Sequence, residues 1–296
     1  MSSSKSLVVV SGASRGIGRA IALAIADAAC TNIDKANSDA STSPILSSHL
    51  DMVLMARSAS SLQETADMIQ ECSDNKAVTI STTCHEMDLA NIETLPMNVQ
   101  KILEPIQNDE YNSCLLINNA GSLGPLGQAV SICDDGSPSD SLQRWKETID
   151  FNITSSLWIT SQFAKATANV EFVRVVNISS LCAIDPFATM SLYCAGKAAR
   201  DMFHAVLAKE HSASDSLSIS SPARFKVLNY APGACGTEMT DTLVDSDDLD
   251  NDLHNFFSTS REKNELIRPN DTAEKLVGLL VKDEFESGLH IDYWDV

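Results

Sequence analysis

Apolar residues fall along this chain in two alternating patterns. Short apolar runs at 7–10, 52–56, 114–117, 172–178 and 225–230, with a weakly alternating stretch at 78–84, carry the signal of strands. Stretches in which apolar residues recur every three or four positions, at 17–29, 60–71, 142–167 and 193–209, carry that of helices, the first of them alanine-rich and the second open to capping by a serine. Strand and helix in alternation predict an α/β fold: a Rossmann-like, doubly wound parallel sheet with helices on both faces and right-handed crossovers. Such a sheet binds its ligands beyond the carboxyl ends of the strands.

Three segments interrupt the alternation, at 31–50, 131–141 and 211–223. Each is rich in Ser, Asp or Asn, and they are expected to be surface insertions in a single domain spanning 1–296. The chain is long enough for one large domain with a sizeable core, and no linker-like stretch divides it.

Charge narrows the choice of partner. With 21 basic and 40 acidic residues the chain carries a net charge of −19, which argues against nucleic acid and anionic membrane. The apolar run at 7–10 is too short for the core of a signal peptide and no stretch is long enough to cross a bilayer, so the cytoplasm is the expected location. Eight cysteines are scattered without a Cys-x-x-Cys pair or a histidine at ligand spacing, so reduced thiols and no metal site are expected.

The chemistry begins in the turn after the first strand, Gly12-Ala13-Ser14-Arg15-Gly16-Ile17-Gly18. A glycine turn that opens a helix lets backbone N–H groups, here those around Gly12, Ser14, Arg15, Gly16, Ile17 and Gly18, approach a pyrophosphate whose charge the helix dipole favours. An acid at the end of the second strand would hold the ribose 2′-hydroxyl of NAD, but this chain has Ala56-Arg57-Ser58 there. Arg57 with Arg15 would pair with a 2′-phosphate, which makes NADPH/NADP+ the expected cofactor. Asp88 and Leu89, after the third strand, are placed to meet the adenine, and Asn119, Ala120 and Gly121 to line the cofactor's middle.

Tyr193 and Lys197 lie one helical turn apart on one face. An ammonium beside a phenol stabilises phenolate, so Tyr193 is a candidate proton donor with a pKa lowered by Lys197. Ser180, at the end of the run 172–178, would offer its hydroxyl to a substrate carbonyl. Asn152 is a polar residue in a mostly apolar helical pattern; it relays protons to Lys197 through water or forms a hydrogen bond in the core.

Assembled, these residues resemble the short-chain dehydrogenase/reductase family over nearly the whole chain. The glycine turn, Asn118-Asn119-Ala120-Gly121, Asn152, the Ser180, Tyr193 and Lys197 triad and Pro232-Gly233 stand in the family's order. Within the family the chain is most similar to the sepiapterin reductase branch. The stretches that carry this likeness are Asn177-Ile178-Ser179-Ser180-Leu181-Cys182-Ala183, 192–202, Leu228-Asn229-Tyr230-Ala231-Pro232-Gly233 and the tail 282–288.

That likeness implies NADPH-dependent reduction of side-chain ketones on a pterin, in tetrahydrobiopterin synthesis. It implies that Asp292 anchors the pterin's amino and ring N–H groups, for which a carboxylate is a suitable fork. By the same resemblance Gly233 lies on the substrate side, Thr237 and Met239 on the cofactor side, and helices around 142–167 and 193–209 form a homodimer. Thr189-Met190-Ser191 departs from the branch, which tends to carry an aromatic residue there. The insertion before the second strand and the Ala234-Cys235-Gly236 step depart from it too. Two other readings stand beside it: a reductase of other vicinal dicarbonyls or aromatic diketones, and a non-catalytic NADPH-sensing protein.

Overall fold

The computed structural model describes residues 4–36, 47–74, 76–108, 111–132, 137–212 and 224–296. Seven parallel strands form one sheet: β1 (Lys5–Ser11), β2 (His49–Ala56), β3 (Thr79–Glu86), β4 (Ser113–Asn118), β5 (Phe172–Ile178), β6 (Phe225–Ala231) and β7 (His290–Asp292), in the spatial order β3-β2-β1-β4-β5-β6-β7. The order reverses between β1 and β4, which opens a crevice beyond their carboxyl ends.

Helices cover both faces: α1 (Gly16–Ala36), α2 (Ala59–Ser73), α3 (Leu95–Asn108), α4 (Pro138–Ile149), α5 (Ser155–Ala166), α6 (Ser191–Ser212), α7 (Glu238–Val244), α8 (Asn251–Glu262) and α9 (Pro269–Lys282). Successive strand residues point to opposite faces, so each buried run feeds two cores. Val8, Val10, Met52, Leu54, Leu115 and Ile117 pack against α1, α2 and α9, whereas Leu7, Val9, Val53, Leu116, Val173 and Val175 pack against α3, α5 and α6. This is why the strands read as continuous apolar runs rather than alternating ones.

The structure redraws several boundaries. α1 continues through Ala36 and β2 begins at His49, so the insertion expected at 31–50 narrows to 37–48, of which 37–46 lies outside the described residues. α4 starts at Pro138, with Ser137 accepting from the Asp140 N–H as its cap, and 133–136 lies outside the described residues. α6 reaches Ser212, leaving 213–223 outside them as well. The helix expected at 142–167 is two helices joined by a π-helical turn, Asp150–Thr154.

One buried ion pair pins the C-terminal end to the sheet. Arg174 on β5 is 1% exposed and meets Asp283 through two hydrogen bonds, Nε to Oδ1 at 2.7 Å and Nη2 to Oδ2 at 2.6 Å. Asp283 sits at the left-handed C-cap of α9 with φ 54°. The chain then returns to place β7 beside β6. Among the described residues, no helix is long and apolar enough to cross a membrane, and no cluster of His, Cys, Asp or Glu could hold a metal ion.

Candidate active site

The glycine turn is knitted to the end of β4. Gly12 and Gly16 adopt positive φ, 67° and 55°, conformations that glycine takes without steric cost. Asn119 Nδ2 donates to Ser11 O at 3.0 Å and Gly12 O at 3.2 Å, and the N–H groups of Asn119 and Ala120 donate to Ser11 Oγ at 3.0 and 3.1 Å. A Cβ on Gly18 would lie 2.2 Å from Gly12 O and 2.4 Å from Asn119 Nδ2. The first N–H groups of α1 have no partners within the helix, so its N-terminus, bordered by this turn, suits a pyrophosphate.

Around that turn the expected cofactor residues take different positions. Arg57 is exposed and has no hydrogen-bond or ion-pair partner among the described residues, while Ser58 caps α2 by accepting from Ser61 N. Arg15 is paired with Glu238 in the first turn of α7. Thr237, the N-cap of α7, brings its Cγ2 to 3.6 Å from the Cβ position of Gly16, so it borders the turn. Asp88 is exposed and accepts from Ala90 N. Leu89, by contrast, is 4% exposed and its side chain belongs to the core, which leaves only its main chain to face a cofactor.

The three catalytic candidates converge where β5 meets α6. Ser180 follows β5 and caps a 3-10 turn (Leu181–Ala183), its Oγ accepting from Cys182 N at 3.2 Å. Tyr193 and Lys197 project from α6, with Lys197 Nζ 5.5 Å from the Tyr193 ring centroid. That Nζ donates to Ile178 O at 2.7 Å. Burial, reinforced by the nearby charge of Arg200, pushes Lys197 down to about 7.

The expectation that Lys197 lowers the Tyr193 pKa needs correction. Burial dominates and pushes the phenol above its usual value, with Cys182 adding to the rise; a hydrogen bond with Ser180 and the charge of Arg200 pull the other way. Lys197 acts less on the phenol than expected because its own charge is disfavoured in the same buried setting.

Asn152 lies in the π-helical turn and is tied at both ends of its amide: Oδ1 accepts from Ser122 N at 2.8 Å and Nδ2 donates to Ser122 O at 2.9 Å. Of the two roles expected for it, the hydrogen bond in the core is the one the structure shows. Gly196 on α6 packs next to it: a Cβ there would sit in ordinary contact with Asn152 Cβ, at 3.5 Å.

Above Tyr193 a small apolar cluster forms a wall and roof: Leu123, Cys182, Met190, Leu243 and Leu249, with Met239 and Tyr193 packed against them. Met239 therefore lines this cluster together with Tyr193. Met190 occupies the wall position where an aromatic residue was noted as missing, and it is buried. Thr189 beside it adopts φ 63°, unusual for a β-branched residue. Its carbonyl accepts from Gly127 N at 2.9 Å and its Oγ1 from Asp250 N, the N-cap of α8, also at 2.9 Å.

Asp292 ends β7, in register with Ala231 of β6, and so lies at the strand ends that also carry Ser180. It is half-buried; its Oδ1 accepts from Trp294 N, and its own N–H donates to Asp295 Oδ2 in a capping box. Gly233, at φ 72°, is closely covered: a Cβ there would be 2.4 Å from Ile267 Cδ1 and 3.5 Å from Tyr293 Cβ.

Sequence reasoning missed a polar network beneath the site. Arg200, Asp201, Asn177, Asn229 and His290 join α6 to β5, β6 and β7. The signal was present, because Arg200 and Asp201 stand three and four residues after Lys197 and share its helix face.

Comparison with known proteins agrees with this geometry. A family model described as short chain dehydrogenase matches residues 40–248. The sepiapterin reductase of Meriones unguiculatus is 33% identical over 289 residues, covering 97% of this chain and 95% of its own length. The benzil reductase ((S)-benzoin forming) of Bacillus subtilis (strain 168) is 31% identical over 202 residues, 68% of this chain and 76% of that one. Among solved structures, the KRED1-Pglu enzyme superposes with a TM-score of 0.69 at 21% identity, covering 97% of this chain and all of the other; at that identity it speaks for the fold alone.

Proposed function

The chain belongs to the short-chain dehydrogenase family, and on that premise we propose that it is an NADPH-dependent reductase of pterin side-chain ketones. The observation that carries the reading is the convergence of Ser180, Tyr193 and Lys197 beside a glycine turn that only glycine can form, with Asp292 at the same end of the sheet. The full-length likeness to a sepiapterin reductase supports the substrate class.

NADPH, when bound, supplies the hydride. Tyr193 gives its proton to the carbonyl oxygen, and the elevated proton affinity of the phenol keeps that proton in place until the oxygen becomes basic. The Ser180 hydroxyl donates to the same oxygen as negative charge develops on it. Lys197, held by Ile178 O, contributes its ammonium to the emerging phenolate. Asn152 fixes the loop after β4 through Ser122. The carboxylate of Asp292 accepts from the amino and ring N–H groups of the pterin.

Replacing Asp292 tests the substrate. Asp292→Ala should lower kcat/KM for sepiapterin by about ten- to a hundredfold, the worth of a charge-assisted hydrogen bond of roughly 1.5–3 kcal/mol. Reduction of an aromatic diketone should stay within a fewfold. Asp292→Asn keeps an oxygen for the Trp294 N–H cap and serves as the control for the shape of the tail. Equal losses on both substrates would transfer Asp292 from recognition to the architecture of the tail. Diketone reduction is the second reading, favoured by the benzil reductase relative.

Cofactor preference rests on Arg57 and the missing acid after β2. Arg57→Asp should shift the ratio of kcat/KM for NADPH over NADH towards NADH by at least about tenfold, because one charged hydrogen bond to phosphate is lost and a repulsion added. An unchanged ratio would assign the 2′-phosphate to other residues. The same reading gives a homodimer through α5 and α6, whose Trp158, Met202 and Val206 are exposed apolar side chains.

A further inference from the structure

Arg200 is a buried charge that the mechanism above does not use and that, unlike Arg174, has no carboxylate in direct contact. It is 1% exposed, and three of its nitrogens are engaged: Nε donates to Asn177 Oδ1 at 2.7 Å, Nη1 to Ala120 O at 2.9 Å and Nη2 to Asn118 O at 2.5 Å. All three acceptors are neutral. Two are carbonyls at the end of β4, in the segment that holds the glycine turn through Asn119. Gly121 borders the same spot, since a Cβ there would lie at ordinary contact distance, 3.6 Å from Asn152 Oδ1 and 3.8 Å from Arg200 Nη1.

A guanidinium satisfied by neutral acceptors is hydrogen-bonded without being neutralised, and in a buried setting its field reaches neighbouring ionisable groups. Those neighbours come from several elements. On α6 they are Tyr193, Cys194, Lys197, Asp201 and His204; the 3-10 turn adds Cys182 and β7 adds His290, while β4, β5, β6 and the π-helical turn present only the amides Asn118, Asn177, Asn229 and Asn152. His204 is pushed down to about 4 by burial and is neutral near pH 7. Asp201 is the anion of the group, but one of its oxygens is held by His290 Nδ1 at 2.6 Å, and it reaches Arg200 through the Asn177 amide, whose Nδ2 donates to Asp201 Oδ1 at 2.8 Å. With no carboxylate in direct contact, the charge of Arg200 acts on Lys197, one helical turn away, where Asp201 opposes it, and on Tyr193, about two turns away.

We propose that Arg200 is a positioning residue for the reduction, tying the end of β4 to α6 and holding a fixed positive charge against the Tyr193–Lys197 pair. The proposal rests on the functional reading above for its role in turnover, but its electrostatic part can be measured without a substrate. The guanidinium favours phenolate over phenol at Tyr193 and disfavours the ammonium at Lys197. It thereby works on the proton donor in the direction that Lys197 had been expected to.

The test uses the full chain with Arg200→Gln, which removes the charge and keeps a donor, and Arg200→Lys, which keeps the charge and loses the fork. Lysines carrying 13C at Cε are titrated by NMR, with the Lys197 signal assigned from Lys197→Met. In Arg200→Gln the Lys197 titration should move up by about one pH unit, the effect of removing a nearby like charge, and in Arg200→Lys it should stay near the wild-type position. Steady-state kinetics should show the alkaline limb of kcat moving up with it. The plateau should fall about tenfold, equivalent to one unit of proton affinity, with the KM for the carbonyl substrate unchanged. An unmoved Lys197 titration and kcat limb in folded Arg200→Gln would overturn the proposal. If Arg200→Gln does not fold, Arg200→Lys decides: kcat within a fewfold of wild type supports the role of the charge, and a loss beyond about tenfold in a folded protein overturns it. A wild-type chain that reduced neither sepiapterin nor a diketone would defeat the functional reading while the NMR titration still decided the charge of Arg200.

Discussion

Tyr193→Phe should abolish carbonyl reduction, with a loss in kcat on the order of a hundredfold or more, while NADPH binding stays nearly intact. The change removes one oxygen from a half-buried ring and leaves the apolar contacts with Met190 and Cys182 in place. With the hydroxyl gone, Ser180 alone faces the carbonyl oxygen. Stopped-flow hydride transfer and fluorescence titration with NADPH separate the two effects. Activity within a fewfold of wild type would assign the proton to another group. A parallel collapse of cofactor affinity would mean that the hydroxyl supports the site's shape instead.

Gly18→Ala should strike the other half of the site. Its methyl would overlap Gly12 O and Asn119 Nδ2, neither of which can swing away, because one is backbone and the other holds Ser11 O and Gly12 O. Forcing such an overlap costs about 1–3 kcal/mol, and taken from cofactor binding this weakens NADPH roughly ten- to a hundredfold. Thermal unfolding without cofactor should show a smaller change than the binding isotherm. Unaltered NADPH affinity would show that the pyrophosphate is held away from this turn.

The central sheet was legible because both of its faces are buried. Five strands and the helices α1, α2 and α6 leave apolar runs or clean periodicity, β3 leaves only a weak alternation, and β5 was read to the residue. The parts that escaped have physical reasons. α3 contains Pro105, which reads as a breaker, yet the helix continues through it. β7 has three residues and pairs with β6 alone, too short to register as a pattern. The π-helical turn inserts a break in α4–α5 that keeps helical spacing on both sides and so reads as one helix. In the site, Gly12, Gly18, Asn119, Ser180, Tyr193 and Lys197 were found from type and spacing, and the structure brings them to one end of the sheet. At Leu89 the position was legible but not which part would face a cofactor, because a residue following a strand can turn its side chain into the core while its backbone remains at the rim. The direction of the Tyr193 shift was misjudged because sequence gives the nearest partner but not the depth of burial.

Thr189 bears on how readily this enzyme's selectivity can be redesigned. One residue joins three otherwise separate segments: its carbonyl takes the N–H of Gly127, its hydroxyl takes the N–H at the start of α8, and its neighbour Met190 fills the wall. Its left-handed backbone fixes the directions in which those two oxygens point. Loop exchange between relatives would therefore not be modular. Importing a 184–190 segment without a hydroxyl at 189 would remove the acceptor of the Asp250 N–H, and one without the left-handed turn would aim the carbonyl away from the Gly127 N–H, so a successful transplant must carry all three pieces together.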